Sequence, residues 1–328
     1  MDGVSLIICC FNSAGRIGKT LEHLHQIKSN GINWEIILVD NGSSDSTVQI
    51  AKDTWNKNPI TKFTIVTELK QGLMNARMKG VESAQYDILS FIDDDNWVDE
   101  QWVSKVFSIM KSDSKIAACG GSSIGVFESE PPQWFHEFSR SYAVGFQQTQ
   151  TGYVEINKGN LWGAGLTVRK LAWNRLFKSG FKSMLQGRTG NALSAGEDSE
   201  LCFSWILSGW KLWYDETLKL KHFIPQSRMN LDYLTRMYEG FGKAEAILTI
   251  YRNVVNRTKK IKYSWGYRSL KAFLNLIWTF IQRIVSSHDK VKKMIDWKHN
   301  KAFAFELIRN RKKYTKARKQ IISLDIRH

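Results

Sequence analysis

An α/β fold is predicted: a Rossmann-type, mainly parallel sheet flanked by helices, with a helical, basic C-terminal extension. Three observations predict it. Across residues 1–120 short apolar runs alternate with segments of helical period, the pattern of right-handed βαβ units. Successive apolar runs close on Asp, Asn, Gly and Ser, the residues that turn a chain at the carboxyl end of a buried strand. From residue 251 onward, 21 Lys and Arg stand against 4 Asp and Glu, whereas residues 1–250 carry 26 against 27.

The elements follow in order. Val4–Phe11 reads as a buried strand, and Asn12 or Ser13 can cap a helix whose apolar face is Ile17, Leu21, Leu24 and Ile27. Trp34–Val39 is a second strand, ended by the turn cluster Asp40–Asp45. A helix over Val48–Trp55, a strand Phe63–Thr67, a helix Leu73–Ser83 and a strand Ile88–Ile92 complete the regular part. Beyond it, Gly120–Gly125 and Ser129–Gln133 read as loops, and Asn157–Gly165 as a Gly-punctuated segment. A helix starts near Glu197 and stops at Ser208-Gly209, Trp210–Tyr214 is a short strand, and Leu231–Tyr251 is a long helix.

The 328 residues are 43% hydrophobic with only 4 prolines, which excludes a disordered or collagen-like chain. Cys9, Cys10, Cys119 and Cys202 lack paired spacing, so buried free thiols and a reducing, cytoplasmic setting are expected. Met1 is followed by Asp2 and then within two residues by a strand-like run, so no signal peptide is expected. The basic region, which accounts for the whole net charge of +16, suits a polyanion: nucleic acid or an anionic membrane surface. Within it, residues 271–285 place Phe273, Leu276, Ile277, Phe280, Ile281 and Ile284 at helical spacing, around Trp278 and between Lys271 and Arg283. Its apolar stretch is shorter than the ~20 residues a membrane crossing needs. An amphipathic helix lying in a membrane interface and a helix packed on the protein both fit.

The strand D-I-L-S-F-I ends in Asp93-Asp94-Asp95, and the second strand ends in Asp40, followed by Asn41. In an open parallel sheet, ligands bind beyond these carboxyl ends. Adjacent like charges at a strand mouth are most readily accommodated by a hard divalent cation, Mg2+ or Mn2+, which also leaves positions open for phosphate oxygens. A solvated acidic turn before a helix near Asp99 is the plainer reading. The first strand is followed by no G-x-G-x-x-G, and no G-x-x-x-x-G-K-[ST] occurs, which argues against dinucleotide dehydrogenases and P-loop NTPases.

Taken together, V-S-L-I-I-C-C-F-N (4–12), E-I-I-L-V-D-N-G-S-S-D (35–45), G-L-M-N-A-R-M-K-G (72–80) and F-I-D-D-D-N (91–96) resemble the nucleotide-binding half of the family 2 glycosyltransferases, which have the GT-A fold. G-A-G-L-T-V-R-K (163–170), G-E-D-S-E-L (196–201) and W-Y-D…K-H (213–222) extend the resemblance over roughly 1–240 in the family's order. It implies inverting transfer of a sugar from a nucleoside diphosphate donor. By this resemblance Asp95 binds the metal, with Asp93 beside it, and Asp94 contacts the ribose. Asp40 or Asn41 reads the uracil, although D-N-G-S stands here where D-D-G-S is common. Cys9 and Asn12 line the donor site, Arg77 contacts the donor, and His222 touches the metal or diphosphate. Asp198 is the catalytic base; at a helix start the dipole favours its charged form.

The resemblance further implies a UDP-sugar donor, with a GDP-sugar as the alternative, and a saccharide or lipid-linked saccharide acceptor in surface polysaccharide or glycan assembly. The expected division is 1–120 for the donor, 121–250 for acceptor and base within the same domain, and 251–328 as an extension lying peripherally on the inner face of the cytoplasmic membrane. Two rivals stand beside this reading. A nucleotidyltransferase would use the same carboxylates and metal but release diphosphate. A nucleic-acid-binding protein would use the basic region with Tyr263, Trp265 and Tyr267, but three aspartates without a metal repel phosphates, which disfavours it.

Overall fold

The computed structural model describes residues 1–155, 160–185, 187, 195–257, 264–285 and 289–324; Tyr263 and Asn157–Gly159 lie outside the described residues. The regular part runs β1 (Val4–Cys10), α1 (Ile17–Leu24), β2 (Trp34–Asp40), α2 (Thr47–Trp55), β3 (Lys62–Thr67), α3 (Leu73–Ser83), β4 (Ile88–Asp93), β5 (Asn96–Val98) and α4 (Trp102–Ser112). It continues with β6 (Ile116–Phe127), α5 (Phe135–Phe138), β7 (Gly152–Tyr153), β8 (Thr167–Arg169), α6 (Lys170–Lys178), α7 (Glu197–Leu207) and β9 (Lys211–Ile224). The helices α8 (Leu231–Val255), α9 (Trp265–Val285), α10 (Lys290–Arg309) and α11 (Arg311–Leu324) close the chain.

One sheet carries the order β3-β2-β1-β4-β8-β6-β9-β5, with β7 on β9. β1 to β4 pair in parallel as expected. The second half is mixed: β8 runs antiparallel to β4 and β6, β5 and β7 run antiparallel to β9, and β9 is parallel to β6. Alternation along β1 sends Leu6 and Ile8 to a core shared with α1, α2 and α4. Ile7 faces the core of α3, α6, α7 and α8. A third cluster joins Phe135, Tyr142 and Ile224 to Tyr233 and Met237 of α8 and Ile295 of α10.

Three local expectations are corrected. Neither Asn12 nor Ser13 caps α1 with its side chain; the Ser13 carbonyl accepts from the Arg16 and Ile17 N–H groups instead. Gly120–Gly125 lies in β6, not in a loop. Its glycines serve a close approach, since any Cβ at Gly121 would collide with the Leu218 carbonyl where the β6–β9 register shifts. The strand placed at Trp210–Tyr214 extends to Ile224, because Leu218, Leu220, His222 and Ile224 continue the buried alternation past the polar Asp215-Glu216. The four cysteines are free thiols, as expected.

Strand register fixes the rim. Cys10 stands opposite Asp40 and Cys9 opposite Asp93, so β1, β2 and β4 deliver their last residues side by side. β5 turns back antiparallel to β9, setting Asn96 against His222. That pairing carries the histidine to the aspartates across more than a hundred residues of chain.

Candidate active site

At the end of β4 the three aspartates take different partners. Asp94 Oδ2 accepts from Arg16 Nη2 at 2.7 Å and from the Ser13 hydroxyl, and its carbonyl accepts from Thr20 Oγ1 at 2.7 Å. Asp95 is 4% exposed; its Oδ2 accepts from Arg228 Nη1 at 2.8 Å and its Oδ1 from Asn96 Nδ2 at 3.2 Å. Asp93 sits among these charges. Burial pushes its carboxyl up, Asp95 adds to the rise, and Arg77 and His222 oppose it. Arginines thus supply part of the positive charge that the triplet was expected to draw from a metal.

His222 Nε2 lies 3.6 Å from Asp95 Oδ1, and its buried Nδ1 has no hydrogen-bond partner. Among the described residues no three His, Cys, Asp or Glu side chains converge as a closed cage. One carboxylate oxygen and one imidazole nitrogen at this separation nevertheless suit a Mg2+ or Mn2+ ion that keeps its other positions for phosphate oxygens and water.

On β2, Asp40 Oδ1 accepts from the Ser43 N–H at 3.1 Å. Asn41 is fully engaged: Nδ2 donates to the Glu68 and Lys70 carbonyls at 2.7 and 3.0 Å, and Oδ1 accepts from the Gly72 N–H at 2.8 Å. It stitches the end of β2 to the loop before α3. Of the pair expected to read a base, Asn41 thus spends its side chain on the loop before α3, and Asp40 spends one oxygen on the turn at Ser43. Asn12, at φ 50°, links two loops, its N–H donating to Ser43 Oγ and its Oδ1 accepting from the Ser44 N–H. Burial pushes the Cys9 thiol up to about 12, so it is a neutral group at the rim and not a nucleophile.

Asp198 lies in the first turn of α7, whose cap Gly196 needs φ +95° and a bare Cα, because a Cβ there would press on Leu185 and Ala244 at 3.1 Å. Its Oδ2 accepts from the Gly163 N–H at 2.8 Å and its Oδ1 from the Ser199 N–H at 2.7 Å. Arg77 Nη2 and Asp198 Oδ2 both border the space above the Gly163 Cα. Arg77 is 2% exposed, lies 5.2 Å from the Phe91 ring centroid, and its Nη1 has no hydrogen-bond partner.

The structure thus gathers Asp93, Asp95 and His222 with Arg77 close by, and Arg77 with Asp198. Sequence reasoning missed Arg16, Arg228 and Glu200. Glu200 is wholly buried and accepts from Ser183 Oγ, the Met184 and Leu185 N–H groups and Tyr251 Oη, locking α7 to α8. A signal existed only for Glu200, a third acid in the first turn of a helix that continues as the mostly apolar L-C-F-S-W-I-L.

Residues 5–177 match the family described as Glycosyl transferase family 2. The Bacillus subtilis protein EpsH, which carries a glycosyltransferase name, is 25% identical over 184 residues, covering 56% of this chain and 48% of that one. A Staphylococcus epidermidis poly-beta-1,6-N-acetyl-D-glucosamine synthase is 28% identical over 122 residues, covering 37% of this chain and 29% of that one. The chain therefore spans about half the length of the first relative and under a third of the second. Among solved structures, the mannosyltransferase PcManGT of Pyrobaculum calidifontis, in complex with GDP-Man and Mn2+, superposes with TM-score 0.54 at 14% identity over 94% of this chain and 87% of that one. This likeness is one of fold.

Proposed function

The chain belongs to glycosyl transferase family 2, whose match spans more than half of it, and from that premise we propose that it transfers a sugar from a nucleoside diphosphate donor to an acceptor hydroxyl with inversion. The observation that carries the reading is Arg77, a buried guanidinium with an unpartnered Nη1 beside both the aspartate rim and Asp198. A buried cation with a spare donor favours an anionic ligand, and a diphosphate supplies the oxygens. Asp40 reads the base and Asp94 the ribose, with Cys9 and Asn12 along the same edge. We take UDP as the donor nucleotide and GDP as the alternative.

Asp95 and His222, with Asp93 behind them, would hold Mg2+ or Mn2+, which when bound supplies charge neutralisation for the departing diphosphate. Arg77 would hold a phosphate oxygen through its spare Nη1. Asp198, aimed by the Gly163 N–H, accepts the proton of the acceptor hydroxyl as its oxygen bonds to the anomeric carbon. The bond from that carbon to the diphosphate oxygen breaks in the same displacement, so no sugar–enzyme bond is formed.

Residues 1–120 would serve the donor, 121–250 the acceptor and base, and 251–328 attachment at the cytoplasmic membrane face. The acceptor would be a saccharide or lipid-linked saccharide in polysaccharide assembly, in keeping with the polysaccharide-synthase name of the staphylococcal relative. The test is release of nucleoside diphosphate by the full chain from a panel of UDP- and GDP-sugars with Mn2+ or Mg2+. Metal-dependent release from one nucleotide class is expected. No release from any donor, together with no metal-dependent UDP or GDP binding by calorimetry, overturns the reading.

A further inference from the structure

The C-terminal extension carries a surface that the transfer chemistry leaves unused. Along the 21 residues of α9, Ala272 and Thr279 turn inward toward the body of the protein. The opposite side presents Leu270, Phe273, Leu274, Trp278, Ile281 and Ile284, each between 45% and 67% exposed. Single exposed apolar residues are ordinary, but a continuous row along a helix about 30 Å long marks an interaction surface. The row extends onto α10. Ile277 and Phe280 of α9 meet Trp297 and Phe305 of α10 around a cavity of about 260 Å³, with Lys301 at its edge.

Cations stand at the α10 side of this apolar face. Arg283 and Lys301 sit over the Trp297 ring at 4.6 and 5.0 Å from its centroid, and the chain beyond residue 250 holds 21 basic residues against 4 acidic ones. No helix among the described residues is long and apolar enough to cross a membrane. We infer that the α9–α10 face docks on an anionic lipid bilayer, with the row from Leu270 to Ile284 in the acyl boundary and the surrounding Lys and Arg at the headgroups. Burial of an apolar stripe and attraction to anionic lipid act together on such a helix. A second copy of the chain would set two strongly basic surfaces against each other. The inference deepens the peripheral placement proposed above, bringing the transferase to a lipid-linked acceptor. It draws nothing from the donor-site chemistry.

The experiment is sedimentation of the full chain, without nucleotide, with vesicles of phosphatidylcholine alone or mixed with phosphatidylglycerol. Binding to the mixed vesicles is expected, falling about tenfold or more in Phe273→Glu/Trp278→Glu. The exposed pair Ile281→Asn/Ile284→Asn gives the same loss by an independent route. Nucleotide-sugar hydrolysis by both variants matches the parent, so failure here and failure of the donor reading are told apart. Equal binding to both vesicle types, or variants that sediment like the parent, overturns the inference. So does a parent dimer that the variants split while neither binds vesicles.

Discussion

Arg228 Nη1 donates to Asp95 Oδ2 at 2.8 Å, placing a guanidinium on the very carboxylate proposed to hold the divalent ion. The arginine ends the short helical turn Gln226–Arg228 after β9, and its carbonyl accepts from Tyr142 Oη at 3.1 Å. A cation at this distance on a buried carboxylate competes with any other. Arg228→Met is therefore expected to raise Mn2+ affinity, measured by calorimetry without nucleotide, by about tenfold or more. Asp95→Asn should abolish that binding in either background. Unchanged affinity in Arg228→Met would mean that the ion and the guanidinium do not share Asp95.

Asp198 can be tested without disturbing its loop. In Asp198→Asn the amide oxygen can still accept from the Gly163 N–H, so the segment that carries Trp162 and Gly163 keeps its anchor. Turnover should fall by roughly 10²–10⁴, the usual worth of a positioned base. Calorimetric UDP affinity should stay near the parent's. Near-parent turnover in a folded Asn variant would remove Asp198 from the role of base.

Asn41 departs from the D-D-G-S form, and its contacts give the departure a structural meaning. Asn41→Asp would replace two donors by an acceptor facing the carbonyls of Glu68 and Lys70. A loss of about 2–4 kcal/mol is expected from these frustrated contacts. The midpoint of urea unfolding should drop, while the preference between UDP and GDP stays where it was. A switch in preference without a loss of stability would show that residue 41 reads the base.

How much of this was legible depends on the range of each interaction. Asp40 and Asp93–Asp95 could be placed because each ends an apolar run, and a parallel sheet collects such ends on one edge. His222 was legible in principle, since Leu218, Leu220, His222 and Ile224 alternate inward, yet Asp215-Glu216 made the strand appear to stop early. Gly120–Gly125 was misread because local propensity cannot see that β9 would pair alongside a glycine-rich strand. Arg16 and Arg228 reach their aspartates across 78 and 133 residues, and no local pattern encodes such pairings. Of the two amphipathic readings of α9, packing on the protein is seen on the side of Ala272 and Thr279; the exposed side is the one inferred above to meet lipid.

Glu200 makes a pH-dependent claim with a definite sign. Burial raises its carboxyl above 4.5, against the pull of Ser183, Leu185, Met184 and Tyr251. A raised folded value means that the stability associated with the protonated form is complete below 4.5 and is lost as pH climbs through the folded value. Glu200→Gln cannot ionise. Its amide oxygen can stand for Oε2 toward Ser183, Met184 and Leu185, and its NH2 can donate to the Tyr251 oxygen. The Gln variant should therefore gain on the parent as pH rises, with urea midpoints compared at the foot of that window and about two units above it. Glu200→Ala instead leaves four donors without their acceptor and should lose stability at both values, by about 3 kcal/mol or more. A Gln variant that tracks the parent at both pH values would place the ionisation of Glu200 outside the folding equilibrium.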